Sequence, residues 1–142
     1  MSQYISKIEG QCHCSNIRFE FETNINLDNL AIRNCQCRFC KLHGAATARD
    51  PNGRAKILVD DLGSMKLYRF ATESTDFVLC KNCGVYVGAI LTHGKDKCVT
   101  LNMNLTQLNT ENAESITYED ETVESRVSKR AEIFTPLIDC PF

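Results

Sequence analysis

At 142 residues, with 43% hydrophobic side chains, the chain is long enough to bury a core of its own, and it reads as one domain spanning residues 1–142. Sixteen basic and eighteen acidic residues leave a formal charge of −2, which carries no global signature for nucleic acid. No stretch approaches a membrane span, and the opening MSQYISKIEG has no apolar run of signal-peptide length, so a cytoplasmic, reducing setting with no membrane or nucleic-acid partner is expected.

In chain order the β-rich segments are IRFEFET from Ile17, AKILVDD from Ala55, MKLYRF from Met65, DFVLC from Asp76, VYVGAIL from Val85 and CVTLNMNL from Cys98. Turn material separates them, including DPNGR, DLGS and THGKD, and the pattern predicts a mainly β protein. A short helical turn is predicted after Cys37, from Arg38 to His43. The main helix is predicted from Thr122 to Phe134: Thr122 can cap, Glu124 lies in the first turn, and Val123, Val127, Ala131 and Phe134 recur at helical spacing before Thr135-Pro136 ends it.

Seven of the nine cysteines fall into three clusters, Cys12/Cys14 (GQCHCSNIRF), Cys35/Cys37/Cys40 (NCQCRFCK) and Cys80/Cys83 (LCKNCGV). Thiolates one or two residues apart can share a tetrahedral ion, whereas a disulfide between such near neighbours closes a strained ring, so the spacing indicates zinc. CKNCG has the form of a zinc knuckle, with Gly84 relieving the tight turn. It supplies two ligands, and spacing leaves open whether Cys12/Cys14 or part of the middle cluster completes the site. Seven thiols divide into a closed four and an open three, the difference expected between a structural and a reactive zinc.

Between Asn29 and Val59 the bases Arg33, Arg38, Lys41, Arg49, Arg54 and Lys56 meet the single acid Asp50, which places candidate carboxylate-binding side chains around the middle cluster. The acidic run Glu111, Glu114, Glu119, Asp120, Glu121 and Glu124 reads as solvated surface.

The ordered motifs GQCHCSNIRFEF, CQCRFCKLHGAA and LCKNCGVYVG resemble the glutathione-dependent formaldehyde-activating enzyme family, also called the CENP-V/GFA domain family, over about Gly10 to Leu105. The resemblance implies twisted antiparallel β-sheets in a tent-like, zinc-stabilised fold. It also implies two zinc ions per chain: a structural one on Cys12, Cys14, Cys80 and Cys83, and a catalytic one on Cys35, Cys37 and Cys40 whose remaining position takes a thiol such as glutathione. The chain departs from the family pattern at Ser15, where glycine is usual, and at Asp76 to Leu79, where a base is frequent.

Zinc held by three thiolates favours thiol chemistry over hydrolysis. The reaction expected is a carbon–sulfur lyase or synthase step on thiol–aldehyde adducts of the S-hydroxymethylglutathione type. His43 is the candidate donor to the developing alkoxide, and Arg33 and Arg38 are the candidates for a substrate carboxylate. The opposing reading closes the middle site as Cys₃His through His43 and makes the protein a non-catalytic, zinc-scaffolded binding module. His13 should point away from any metal, His93 is a turn residue, Cys98 belongs to the core and Cys140 is a tail thiol without an assigned partner.

Overall fold

The computed structural model describes residues 4–69, 75–111, 113–116, 129 and 131–142. The first hairpin shows how the sequence builds the sheet. Strand β1 (Ser6–Gln11) pairs antiparallel with β2 (Ile17–Thr23), and in β2 the alternation of Ile17, Phe19 and Phe21 with Arg18 and Glu20 puts the apolar residues on a fully buried face. Gly10 lies opposite Phe19, and any side chain there would overlap the Phe19 ring, so the ring covers the gap that the glycine leaves.

The remaining strands are β3 (Arg33–Cys35), β4 (Thr47–Ala48), β5 (Arg54–Val59), β6 (Met65–Tyr68), β7 (Thr75–Cys80), β8 (Tyr86–His93), β9 (Asp96–Asn102), β10 (Glu114–Ile116) and β11 (Thr135–Asp139). They form an open mixed sheet in the order β1-β2-β5-β11-β9-β4-β3-β10, with β8, β7 and β6 extending in turn from β9. One helix, α1 (Arg38–His43), lies between β3 and β4. The core runs beneath this sheet and includes Ile17, Phe19, Phe21, Ile57, Val78, Val87, Val99, Leu101 and Met103, each 2% exposed or less.

Strand β11 joins the two halves, lying parallel to β5 on one side and antiparallel to β9 on the other. A buried polar cluster secures that junction. The carboxylate of Asp50 accepts the Thr23 hydroxyl at 2.6 Å and the Asn52 N–H at 2.9 Å, while the Asp50 N–H donates to the Thr135 hydroxyl at 2.8 Å. The one acid in the basic segment is thus a structural tie, with these donors compensating burial of its charge.

The six predicted strand segments all appear, and α1 has the predicted bounds. Two features differ from expectation. The strand predicted through Leu105 ends at Asn102, whose side chain accepts the Asn104 N–H and opens a 3₁₀ turn over Met103–Leu105. Two pairings are parallel, β10 with β3 and β11 with β5, because segments distant in sequence return in the same direction, which strand periodicity does not encode. Most of the predicted helix, residues 122–128 and 130, lies outside the described residues; residues 129 and 131–133 are helical, Phe134 is buried beyond the helix, and β11 follows.

Candidate metal centres

Two loops of matching form bring four cysteines together. In the β1–β2 turn the Cys12 N–H donates to the Ile17 carbonyl at 2.9 Å, and in the β7–β8 connection the Cys80 N–H donates to the Val85 carbonyl at 3.0 Å. Each loop also turns a backbone amide onto sulfur at 3.4 Å: Ile17 N–H to Cys12 Sγ and Cys83 N–H to Cys80 Sγ. The Sγ atoms of Cys12, Cys14, Cys80 and Cys83 lie within 4.8 Å of one another, with Cys12–Cys14 at 3.8 Å and Cys14–Cys80 at 3.5 Å. Zinc–sulfur bonds of about 2.3 Å place tetrahedral sulfurs about 3.8 Å apart, and a disulfide requires about 2.05 Å, so this donor set fits zinc.

The surroundings of the four sulfurs differ. Cys14 is exposed and is lowered to about 6, chiefly by the Asn16 backbone N–H and then by the Asn82 side chain; Cys80 is pushed up to about 12 by burial. Asn82, between the two knuckle cysteines, thus supports the opposite loop, a role that cysteine spacing does not reveal.

Both loops need a left-handed residue, and they fill it differently: φ is 79° at Gly84 and 69° at Ser15. A side chain there costs about 1–2 kcal/mol of backbone energy, while glycine adds unfolded-state entropy of roughly 0.5–1 kcal/mol. Ser15→Gly is therefore expected to raise stability by about 0.5 kcal/mol, and Gly84→Ala to lower it by about 1 kcal/mol. Thermal unfolding of the zinc-loaded variants checks both signs.

The second cluster forms where β3 meets α1. Cys35 ends β3, Cys37 is the N-cap of α1 and accepts the Cys40 N–H on its sulfur at 3.4 Å, and Cys40 is buried one helical turn along. Gly44, at φ 58°, ends the helix. The three Sγ atoms lie within 4.8 Å of one another. Cys37 accepts from the thiols of Cys35 and Cys40 and is held well below the ordinary thiol value, while Cys40, which donates to Cys35 first and then to Cys37, and Cys35, which donates to Cys37, are pushed up. Three crowded sulfurs of this kind ionise together only beside a cation, so this set also fits a thiophilic metal.

His43 is not brought into this cluster, which consists of thiols alone. Its ring is exposed and packs on Phe39 at 4.6 Å and Tyr86 at 5.7 Å. Phe39 also meets Phe77 at 4.8 Å and stacks on Tyr68 at 5.8 Å, so an aromatic wall flanks the three thiols; Cys40, Phe77 and Tyr86 share one apolar cluster. The helical spacing of Phe39 and His43 was legible, but their partners come from β6, β7 and β8. Leu79 packs on the same cluster, and Asp76 is bound by Arg69.

The basic segment divides. Arg38 is exposed at the start of α1, next to Cys37, and Arg33 is half-buried in β3, opposite Glu114 of β10 and lining a cavity of about 220 Å³ with Thr47 and Arg49. Arg54 pairs with Glu22 at 3.2 Å, and Arg49 lies over Phe134 at 5.9 Å, so these two serve the fold. In the acidic run Glu111 and Glu114 are exposed, and Glu119, Asp120, Glu121 and Glu124 lie outside the described residues.

The remaining candidates stand apart from both clusters. His13 and His93 are exposed, Cys140 packs against the core, and Cys98 is half-buried in β9. Burial, with a smaller contribution from Asp96, pushes the Cys98 thiol from the ordinary 9.0 up to about 11. The folded state therefore favours the neutral thiol. That contribution is complete below pH 9 and is lost as pH rises from about 9 towards about 11, as the unfolded chain ionises first. Alkylation of Cys98 at pH 8 is expected to be at least about tenfold slower than in the unfolded chain, measured by mass spectrometry of the labelled peptide.

Among the described residues no helix is long and apolar enough to cross a membrane. A crystal structure of a Rhodobacter sphaeroides protein is similar to this chain at 24% identity and a TM-score of 0.57, covering 76% of this chain and 99% of that one, a likeness of fold. The sequence also matches the family described as glutathione-dependent formaldehyde-activating enzyme over residues 7–133. With that match spanning both cysteine clusters and most of the sheet, the chain belongs to the glutathione-dependent formaldehyde-activating enzyme family.

Proposed function

We propose that the chain catalyses reversible carbon–sulfur bond formation between a thiol, with glutathione the reference, and formaldehyde or another small aldehyde, RSH + HCHO ⇌ RSCH₂OH. The observation that carries this reading is the division of seven thiols into a set of four and a set of three, the latter without a fourth His, Cys, Asp or Glu donor among the described residues. Zinc bound by the three would leave one ligand position for a thiol and keep that sulfur ionised and nucleophilic at neutral pH. In this reading Cys12, Cys14, Cys80 and Cys83 hold a structural zinc, and Cys35, Cys37 and Cys40 hold the catalytic one.

The chain's own groups supply the rest. Arg38, exposed beside Cys37, and Arg33, at the other end of β3 from Cys35, bind a carboxylate of the thiol substrate. His43 donates a hydrogen bond to the aldehyde oxygen and returns to it the proton that the thiol gave up, so the addition consumes none overall. Phe39, Tyr68 and Phe77 keep bulk water from the sulfur.

Zinc content and zinc-edge absorption before and after glutathione, together with NMR exchange between free formaldehyde and its adduct, test the proposal. Two zincs per chain, one changing its ligand set as exchange accelerates, are expected. Coordination unchanged at saturating thiol would refute the reading and favour a zinc-scaffolded protein-binding module.

A further inference from the structure

Strand β1 stands at one end of the sheet, and among the described residues it pairs with β2 alone. The hydrogen bond from Cys12 N–H to the Ile17 carbonyl fixes the phase of that ladder. Ser6, Ile8 and Gly10 turn their backbone groups towards β2, and Lys7, Glu9 and Gln11 turn theirs to the open edge. Side chains alternate in step: Ile8 and Gly10 are buried, while Lys7, Glu9 and Gln11 are exposed.

Edge strands are ordinarily blunted by a proline, a bulge, a cover or charged side chains, and of these β1 carries the charges Lys7 and Glu9. Here the register runs without a break from Ser6 opposite Thr23 to Gln11 opposite Arg18, and β1 contains no proline. Alongside lies a groove of about 740 Å³, lined by Lys7 to Gln11 of this strand, charged and apolar alike, and by residues that include Leu27, Leu105 and Leu108.

We propose that β1 is a homodimer interface, pairing antiparallel with β1 of a second copy about a two-fold axis at Ile8. Backbone phase allows only registers that set odd residues opposite odd residues, since these alone present N–H and C=O groups to the edge. A centre at Glu9 would set two glutamates against each other, and a centre at Gly10 would oppose Glu9 to Gln11 without an ion pair. A centre at Ile8 opposes Lys7 to the partner's Glu9 and Glu9 to the partner's Lys7, with the two Ile8 side chains together on the groove side. Of the registers that the backbone allows, the one centred at Ile8 makes the strand SKIEG charge-complementary to itself, which selects a second copy as the occupant.

Within one chain Lys7 already contacts the half-buried Glu20 at 3.2 Å and Glu9 at 3.6 Å, and the side chains of the second pair are 47% and 70% exposed. Exposed pairs of this kind rearrange at little cost.

Sedimentation equilibrium of the zinc-loaded full chain from about 10 μM to about 1 mM tests the interface. Wild type is expected to dimerise within that range, more weakly at high salt. Lys7→Glu and Glu9→Lys should each raise the dissociation constant at least about tenfold, because each sets like charges opposite one another twice. An equimolar mixture of the two should recover dimers, as every opposed pair is then of opposite sign. Glu9→Pro removes an N–H from the open edge and spares the ladder to β2, so it should also block dimers while circular dichroism stays unchanged. A monomer throughout the range, or a dimer indifferent to these charges, overturns the proposal, and so does failure of the mixture to recover dimers.

Discussion

Cys80→Ser is expected to leave the chain with one zinc fewer and to destabilise it by about 5 kcal/mol or more, a large part of the roughly 5–15 kcal/mol available to a domain. The four-sulfur cluster joins the β1–β2 turn to the β7–β8 connection, two loops that share no strand pairing of their own. Cys12 and Cys80 are each 1% exposed, so losing the ion also leaves a buried hydroxyl and uncompensated sulfurs within the core. Zinc content by mass spectrometry and thermal unfolding by circular dichroism check the result. A variant that retained its full zinc complement and its midpoint would show that these four thiols do not hold the structural ion.

Cys37→Ser should have the opposite profile: about a thousandfold loss of adduct exchange, equivalent to ~4 kcal/mol in the barrier, with the unfolding midpoint shifted by only about 3 °C. Cys37 is half-exposed at the start of a six-residue helix, and its cluster links only β3 and α1, neighbours already joined in sequence. Removing it takes away the sulfur that ionises most readily of the three while leaving the central sheet in place. Formaldehyde exchange by NMR, zinc content and thermal unfolding on one sample separate the two roles. Unfolding of this variant would show the second cluster to be structural as well. Comparison with His43→Asn then distinguishes the metal-binding group from the proton relay, since that variant should keep both zincs.

Local signals carried a large share of the fold. The alternation in IRFEFET, the cap-and-turn pattern from Cys37 to Gly44 and the knuckle at Cys80 each concern residues close in sequence, whose conformational preferences act before any tertiary contact forms. β1 was missed because its buried face offers only Ile8 and Gly10. β3, β4 and β10 are two or three residues long, too short for a period to register. β11 was missed for another reason: its TPLID gains its strand character by filling the gap between β5 and β9.

The candidate sites divide in the same way. Cysteine spacing alone identified metal chemistry, because a thiolate pair separated by one or two residues has few other uses in a reducing setting. It left open which pair completes the knuckle, since bringing Cys12 and Cys14 to Cys80 depends on the order of strands across the whole sheet. Likewise His43 stood at plausible ligand spacing from Cys40, but the side chains of Phe39 and Tyr86 draw its ring into an aromatic contact instead. The amino-acid sequence by itself determined the donor set, the mainly β character and the family, all consequences of local spacing and residue chemistry. The resemblance carried by the motifs already implied the grouping of four and three; only the tertiary structure showed the aromatic wall beside the three and, among the described residues, the unpaired edge of β1, because each depends on which segments long-range strand pairing brings together.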